Sequence, residues 1–146
     1  MEKLDFSIDI NAPKEKVWDV LWNDATYPQW TAVFTEGSHA ESDWKEGSQI
    51  LFLDGKGDGL FSKIETLEEN NKMVFKHLGE MSKRVQKPSD EQSIQWEGAT
   101  ESYFLNENDG VTELEVELFG MEEHKAYFES MFPKALEVVK QLAENS

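Results

Sequence analysis

From about Ser38 to Leu118 apolar and polar residues alternate with a period of two almost throughout, and beyond Gly120 the pattern reverts to a helical period. Successive side chains of a strand point to opposite faces, whereas residues three and four apart share one face of a helix. This order predicts an antiparallel sheet with one apolar face, and the terminal helix is the only element large enough to cover it. The alternation places strands near 39–44, 47–54, 59–67, 72–79, 93–105 and 111–119. Between them stand Gly47, the tract Asp54-Gly-Lys-Gly-Asp-Gly59, Glu69-Asn-Asn71 and Asn106-Glu-Asn-Asp-Gly110, all with turn chemistry. The pattern is clearest at 111–119, where Leu114, Val116 and Leu118 point one way and Glu113, Glu115 and Glu117 point into water. The segment 80–92, with Pro88 and several charges, lacks periodicity and is expected to be a mobile loop.

The two ends complete the pattern. Leu4, Phe6, Ile8 and Ile10 share one face of a half-buried first strand. Asn11 is the expected N-cap of a helix over about 13–23, with Pro13 near its first turn and Val17, Trp18, Leu21 and Trp22 on its apolar side. Thr26-Tyr27-Pro28 suggests a turn and one more short helical piece. In the last helix Phe128, Met131, Ala135, Val138, Val139 and Leu142 form the apolar stripe, and Pro133 is expected to bend it. Strand, helix, six strands and a long helix make an α+β pattern in a single domain spanning 1–146.

Composition removes several functions. The chain has 146 residues and no cysteine, which excludes thiol catalysis, cysteine-bound zinc and iron–sulfur clusters. Its 30 acidic and 14 basic side chains leave a formal charge of −16, which repels a phosphate backbone, so no nucleic-acid partner is expected. No stretch approaches the ~18 apolar residues of a membrane span, and a soluble, cytoplasmic protein is the expectation. No G-x-S-x-G, phosphate loop, dinucleotide-binding glycine motif or H-E-x-x-H is present. No metal and no cofactor is therefore expected.

The run Ile10-Asn-Ala-Pro-Lys-Glu-Lys-Val-Trp-Asp-Val-Leu-Trp22 resembles the opening of the START-like (Bet v 1-like, SRPBCC) helix-grip superfamily. Tyr27-Pro-Gln-Trp30, Trp44-Lys-Glu-Gly-Ser48 and Phe132-Pro-Lys-Ala-Leu-Glu-Val-Val-Lys-Gln-Leu142 extend the resemblance over nearly the whole chain. Within the superfamily the match leans towards the group named for the activator of the Hsp90 ATPase. The resemblance implies a curved antiparallel sheet of six or seven strands wrapped around the long C-terminal helix. It says less about function, because that superfamily spans lipid carriers, hormone receptors, polyketide cyclases and co-chaperones.

A sheet curled around a helix leaves a space, and the candidate site residues are those expected to face it. They are Trp30, Phe52, Phe61, Phe75, His77, Trp96, Tyr103, Tyr127, Phe128 and Met131. Aromatic rings there would line an apolar pocket, with phenol and indole groups orienting a ligand. The tract from Asp54 to Gly59 with Glu65 nearly fits a calcium loop, but Lys56 puts a cation where a ligand oxygen belongs, so a hairpin turn is expected. Glu97 and Glu101 share a strand face, which is expected to be the exposed one. The leading expectation is a non-catalytic domain holding a small, mostly apolar, neutral or cationic molecule. Two alternatives accompany it: a chaperone-related interaction module whose partner presents a basic patch, and a cyclase- or hydrolase-type enzyme using His77, Glu97 or Glu101.

Overall fold

The structure, a computed structural model, describes residues 3–87 and 98–145. Along the chain run β1 (Lys3–Ile10), α1 (Lys14–Trp22), α2 (Tyr27–Thr31), β2 (His39–Glu41), β3 (Gln49–Leu53), β4 (Gly59–Glu68), β5 (Lys72–Ser82), β6 (Val85–Gln86), β7 (Thr100–Asn108), β8 (Val111–Phe119) and α3 (Lys125–Glu144). A 3₁₀ turn over Glu122–His124 leads into α3. Seven strands pair antiparallel in the order β1-β8-β7-β5-β4-β3-β2, and the two-residue β6 pairs with β5. This is the helix-grip arrangement: a curved sheet with α3 lying against β1, α1 and α2.

One-sided burial explains why the alternation was so regular. Leu4, Phe6 and Ile8 pair with Leu118, Val116 and Leu114, and these β8 side chains are essentially sealed from solvent. Facing them from α3 are Phe132, Ala135, Leu136, Val139 and Ala143, all buried. The apolar stripe is thus rotated from the expected one. Phe132 and Leu136 lie at its centre, while Met131, Val138 and Leu142 are only partly covered. Pro133 sits on the exposed side of α3, where the carbonyl it leaves without a helical donor can be hydrated.

Other expectations change at element ends. Pro13, not Asn11, occupies the N-cap position of α1 and makes no side-chain cap; the Asn11 N–H donates to the Glu144 carboxylate at 2.8 Å. Strand β2 stops at Glu41 because the Ser42 hydroxyl accepts the Trp44 N–H and donates to the Gln49 carbonyl, closing a turn. Residues 80–86 are not a loop: β5 continues to Ser82, turns at Lys83 and Arg84, and returns as β6. The remainder of the expected loop and the start of the expected 93–105 strand lie outside the described residues. At the head of β4, a Cβ on Gly59 would fall 1.8 Å from the Phe52 carbonyl oxygen, so only glycine permits this approach of β4 to β3.

Candidate ligand cavity

Three neighbouring strands aim polar side chains at one point of the concave face. On β5, Met73, Phe75 and His77 alternate inward, and all three are buried. On β7, Ala99 just before the strand and Tyr103 are buried, which sets Glu101 on the same inward face. Ser62 faces inward by alternation with Leu60 and Ile64 on β4, and a register shift that skips Leu78 of β5 sets it opposite His77.

These groups form a connected chain. Ser62 Oγ lies 2.6 Å from His77 Nδ1, and His77 Nε2 lies 3.2 Å from Glu101 Oε1. The Tyr103 hydroxyl donates to the other carboxylate oxygen of Glu101. A carboxylate can only accept, so His77 donates from Nε2, and in a neutral ring Nδ1 accepts a hydrogen bond from the Ser62 hydroxyl. Burial pushes the Tyr27 and Tyr103 phenols well above their usual range, and the negative charge of Glu101 adds to this, so both stay protonated hydrogen-bond donors.

On distances alone, Ser62, His77 and Glu101 look like a hydrolytic triad. Access says otherwise. Ser62 is wholly buried and does not line the cavity, whereas the buried His77 and Glu101, whose side chain is 21% exposed, both do. Chemistry at this point would therefore run through a carboxylate supported by imidazole and phenol, not through a serine nucleophile.

The remaining walls are apolar. Tyr27, Trp30, Thr31 and Phe34 come from α2 and the residues after it, Phe52 and Leu60 from β3 and β4, Met121 from the turn before α3, and Tyr127, Phe128 and Phe132 from α3. Their own polar atoms are largely occupied: the Trp30 indole donates to the Leu21 carbonyl at 3.1 Å and the Tyr127 hydroxyl to the Phe34 carbonyl at 2.7 Å. They enclose about 180 Å³. A wider, more polar groove of about 590 Å³ adjoins it through the shared residues Ser38, Phe52, Leu60 and Tyr127, and carries Asp54, Asp58, Glu80 and Lys87.

Of the residues singled out from sequence, the structure brings Trp30, Phe52, His77, Tyr103, Tyr127 and Phe128 together around this cavity. Phe75 is buried behind it, in edge contact with Trp22 and Phe52. Phe61 points to the other side of the sheet, against Gly79. Met131, half-buried on α3, is not among the lining residues, and Trp96 and Glu97 lie outside the described residues. Glu101, expected on an exposed face, points inward instead, because Ala99 and Tyr103 on the same face are core residues. Phe34, Leu60, Met121 and Phe132 also line the cavity without having been singled out. The Asp54 tract is a hairpin turn, in which the Asp54 carboxylate accepts the N–H groups of Lys56 and Asp58.

This architecture and its residues can be set beside known proteins. A family model described as Activator of Hsp90 ATPase homolog 1-like protein matches residues 11–144. The chain belongs to this Activator of Hsp90 ATPase homolog 1-like family. Among curated proteins, none matches its sequence. Solved structures share the family member's fold at low identity. A protein from Mesorhizobium loti superposes with a TM-score of 0.77 at 14% identity, covering 99% of this chain and 98% of that one. The Aha1 dimer from Colwellia psychrerythraea gives 0.74 at 19% identity, over 99% and 97%. CalU16 from Micromonospora echinospora gives 0.69 at 15% identity, over 99% and 76%. These likenesses speak for the fold of the family member. Its site has to be argued from its own residues.

Proposed function

We propose that this domain binds a small, mostly apolar molecule carrying one aromatic ring in the cavity between the sheet and α3. The observation that carries this is the cavity itself: about 180 Å³ walled by six aromatic rings of α2, β3 and α3, with one polar cluster at Glu101. Its size sets the ligand class, because an apolar protein cavity of ~150 Å³ takes a benzene-sized guest. A larger ligand would extend into the adjoining groove past Phe52 and Tyr127. Binding without chemistry fits the wholly buried serine, which does not line the cavity.

The test is a thermal melt with benzyl alcohol, with native mass spectrometry to detect one bound equivalent. A ligand at ~100 times its Kd stabilises a domain by ~2.7 kcal/mol. A rise in Tm that saturates at one equivalent supports the proposal; no rise and no bound mass would remove it. The family's description supports a second reading, an interaction module acting on a chaperone ATPase. Stimulation of such an ATPase by the purified domain, weakened by salt as expected for a surface of charge −16, would favour it.

A further inference from the structure

We propose that the polar group of the ligand is an ammonium, held by the Glu101 carboxylate at the inner wall of the cavity. The inference rests on the reading of the cavity as a ligand site and assigns that ligand its charge.

Three observations lead to it. First, Glu101 accepts one hydrogen bond on each oxygen, from His77 Nε2 and from the Tyr103 hydroxyl. A carboxylate has about four acceptor directions, so capacity remains on the side that lines the cavity. Second, among the described residues no lysine or arginine lines the cavity. Lys87, in the adjoining groove, faces Glu80 at 3.7 Å. The titratable side chains that do line it are Glu101, His77 and the phenols of Tyr27, Tyr103 and Tyr127. A neutral His77 ring can make both the Ser62 and the Glu101 contact, and no lysine or arginine among the described residues faces this carboxylate in the cavity. Third, the lining also includes the rings of Trp30, Phe52, Phe128 and Phe132. Aromatic faces carry negative potential and favour a cation in a dry site. A carboxylate facing a box of rings rewards a ligand that is apolar along its body and positive at its tip. It penalises an anion twice, by like charge at Glu101 and by desolvation without a partner. The surplus of negative charge over the whole chain acts in the same direction on approach.

The experiment compares three probes of nearly equal shape at pH 7: benzylammonium, benzyl alcohol and benzoate. Affinities are measured by titration calorimetry on the intact protein and on Glu101→Gln, which keeps the side chain's shape and removes its charge. The wild type should bind benzylammonium about tenfold or more tighter than benzyl alcohol, with benzoate weakest, as expected for a charge-assisted hydrogen bond. In Glu101→Gln the preference for the ammonium should fall to within about twofold, with benzyl alcohol binding retained. Benzyl alcohol and benzylammonium binding equally to the wild type would overturn the ammonium assignment and leave the cavity reading intact. The same holds if the preference survives in Glu101→Gln. Failure of all three to bind would overturn both. Should the variant not fold, the wild-type ranking decides alone.

Discussion

Truncating Phe132 to alanine tests the packing and the cavity together. Phe132 is 2% exposed and its ring meets Phe6 at 5.0 Å, Phe34 at 4.9 Å and Phe128 at 5.8 Å between centroids. It is therefore held on three sides, on α3 and against β1 and the segment after α2, and its fourth side lines the cavity. Removing the ring empties ~100 Å³, and at ~24 cal/mol per Å³ the void alone costs ~2.4 kcal/mol; with the lost transfer energy the total falls near the ~3–5 kcal/mol seen for buried Phe→Ala changes. At ~3 °C per kcal/mol for a domain of this size, Tm should drop by ~9–15 °C. The new void opens onto the existing one, so a two-ring ligand should gain room. Urea unfolding with and without 2-naphthol, on both proteins, measures the two effects. Phe132→Ala should lose stability by the amount above and recover more of it with 2-naphthol than the wild type gains. A loss below ~1.5 kcal/mol would show that the ring is not packed as described. A full loss with no greater response to 2-naphthol would show that the emptied space and the cavity are not continuous.

Other outcomes follow from the same geometry. Val116→Asp places a carboxylate at a fully buried position on β8 and should cost ~3–5 kcal/mol in chemical denaturation, whereas Glu115→Lys on the opposite face should stay within ~0.5 kcal/mol. Trp30→Phe removes an indole that donates to the Leu21 carbonyl and should cost ~1–3 kcal/mol more than Trp22→Phe, whose buried indole N–H has no hydrogen-bond partner among the described residues. Glu41 sits in a bidentate pair with Arg84, which holds its carboxyl at about 2, below the usual 4.5. A depressed carboxylate adds stability above its unfolded value that fades as pH falls from about 4.5 towards 2. Both partners are more than a third exposed, so Arg84→Gln should cost little at pH 7, and the difference from wild type should shrink along an acid titration of stability.

The sheet was legible because burial is one-sided: every second residue of β1 is apolar, as are Leu114, Val116 and Leu118 of β8, and that period survives any error in strand length. Family membership was legible for a related reason, since the Ile10–Trp22 run and the closing helix carry the packing of α1 and α3. Depth within the concave face was not. Phe52 and Phe75 share an inward face and touch at 5.0 Å, yet only Phe52 borders the cavity, and alternation carries no information about distance along the sheet. Phe61 was misplaced because the inward face of β4 carries Leu60, Ser62 and Ile64, and a buried serine hides which face of the strand is inward. The Glu101 orientation was hidden by its own charge, which by default argues for solvent. The buried flanking pair Ala99 and Tyr103 was the counter-signal, and it had weight only once His77 was seen opposite. The rotation of the α3 stripe to Phe132 and Leu136 reflects a helix gripped from several sides, whose buried arc is wider than one apolar line.

A titration of ¹⁵N-labelled protein with benzyl alcohol, followed at the tryptophan indole signals, goes to the central point. Trp30 lines the cavity, whereas Trp18 lies half-exposed on α1 outside it. Saturable movement of the Trp30 indole resonance, with the Trp18 resonance stationary, is the predicted result. A Trp30 resonance that stays fixed at saturating ligand, or drifts in step with Trp18 without saturating, would contradict an internal site between the sheet and α3.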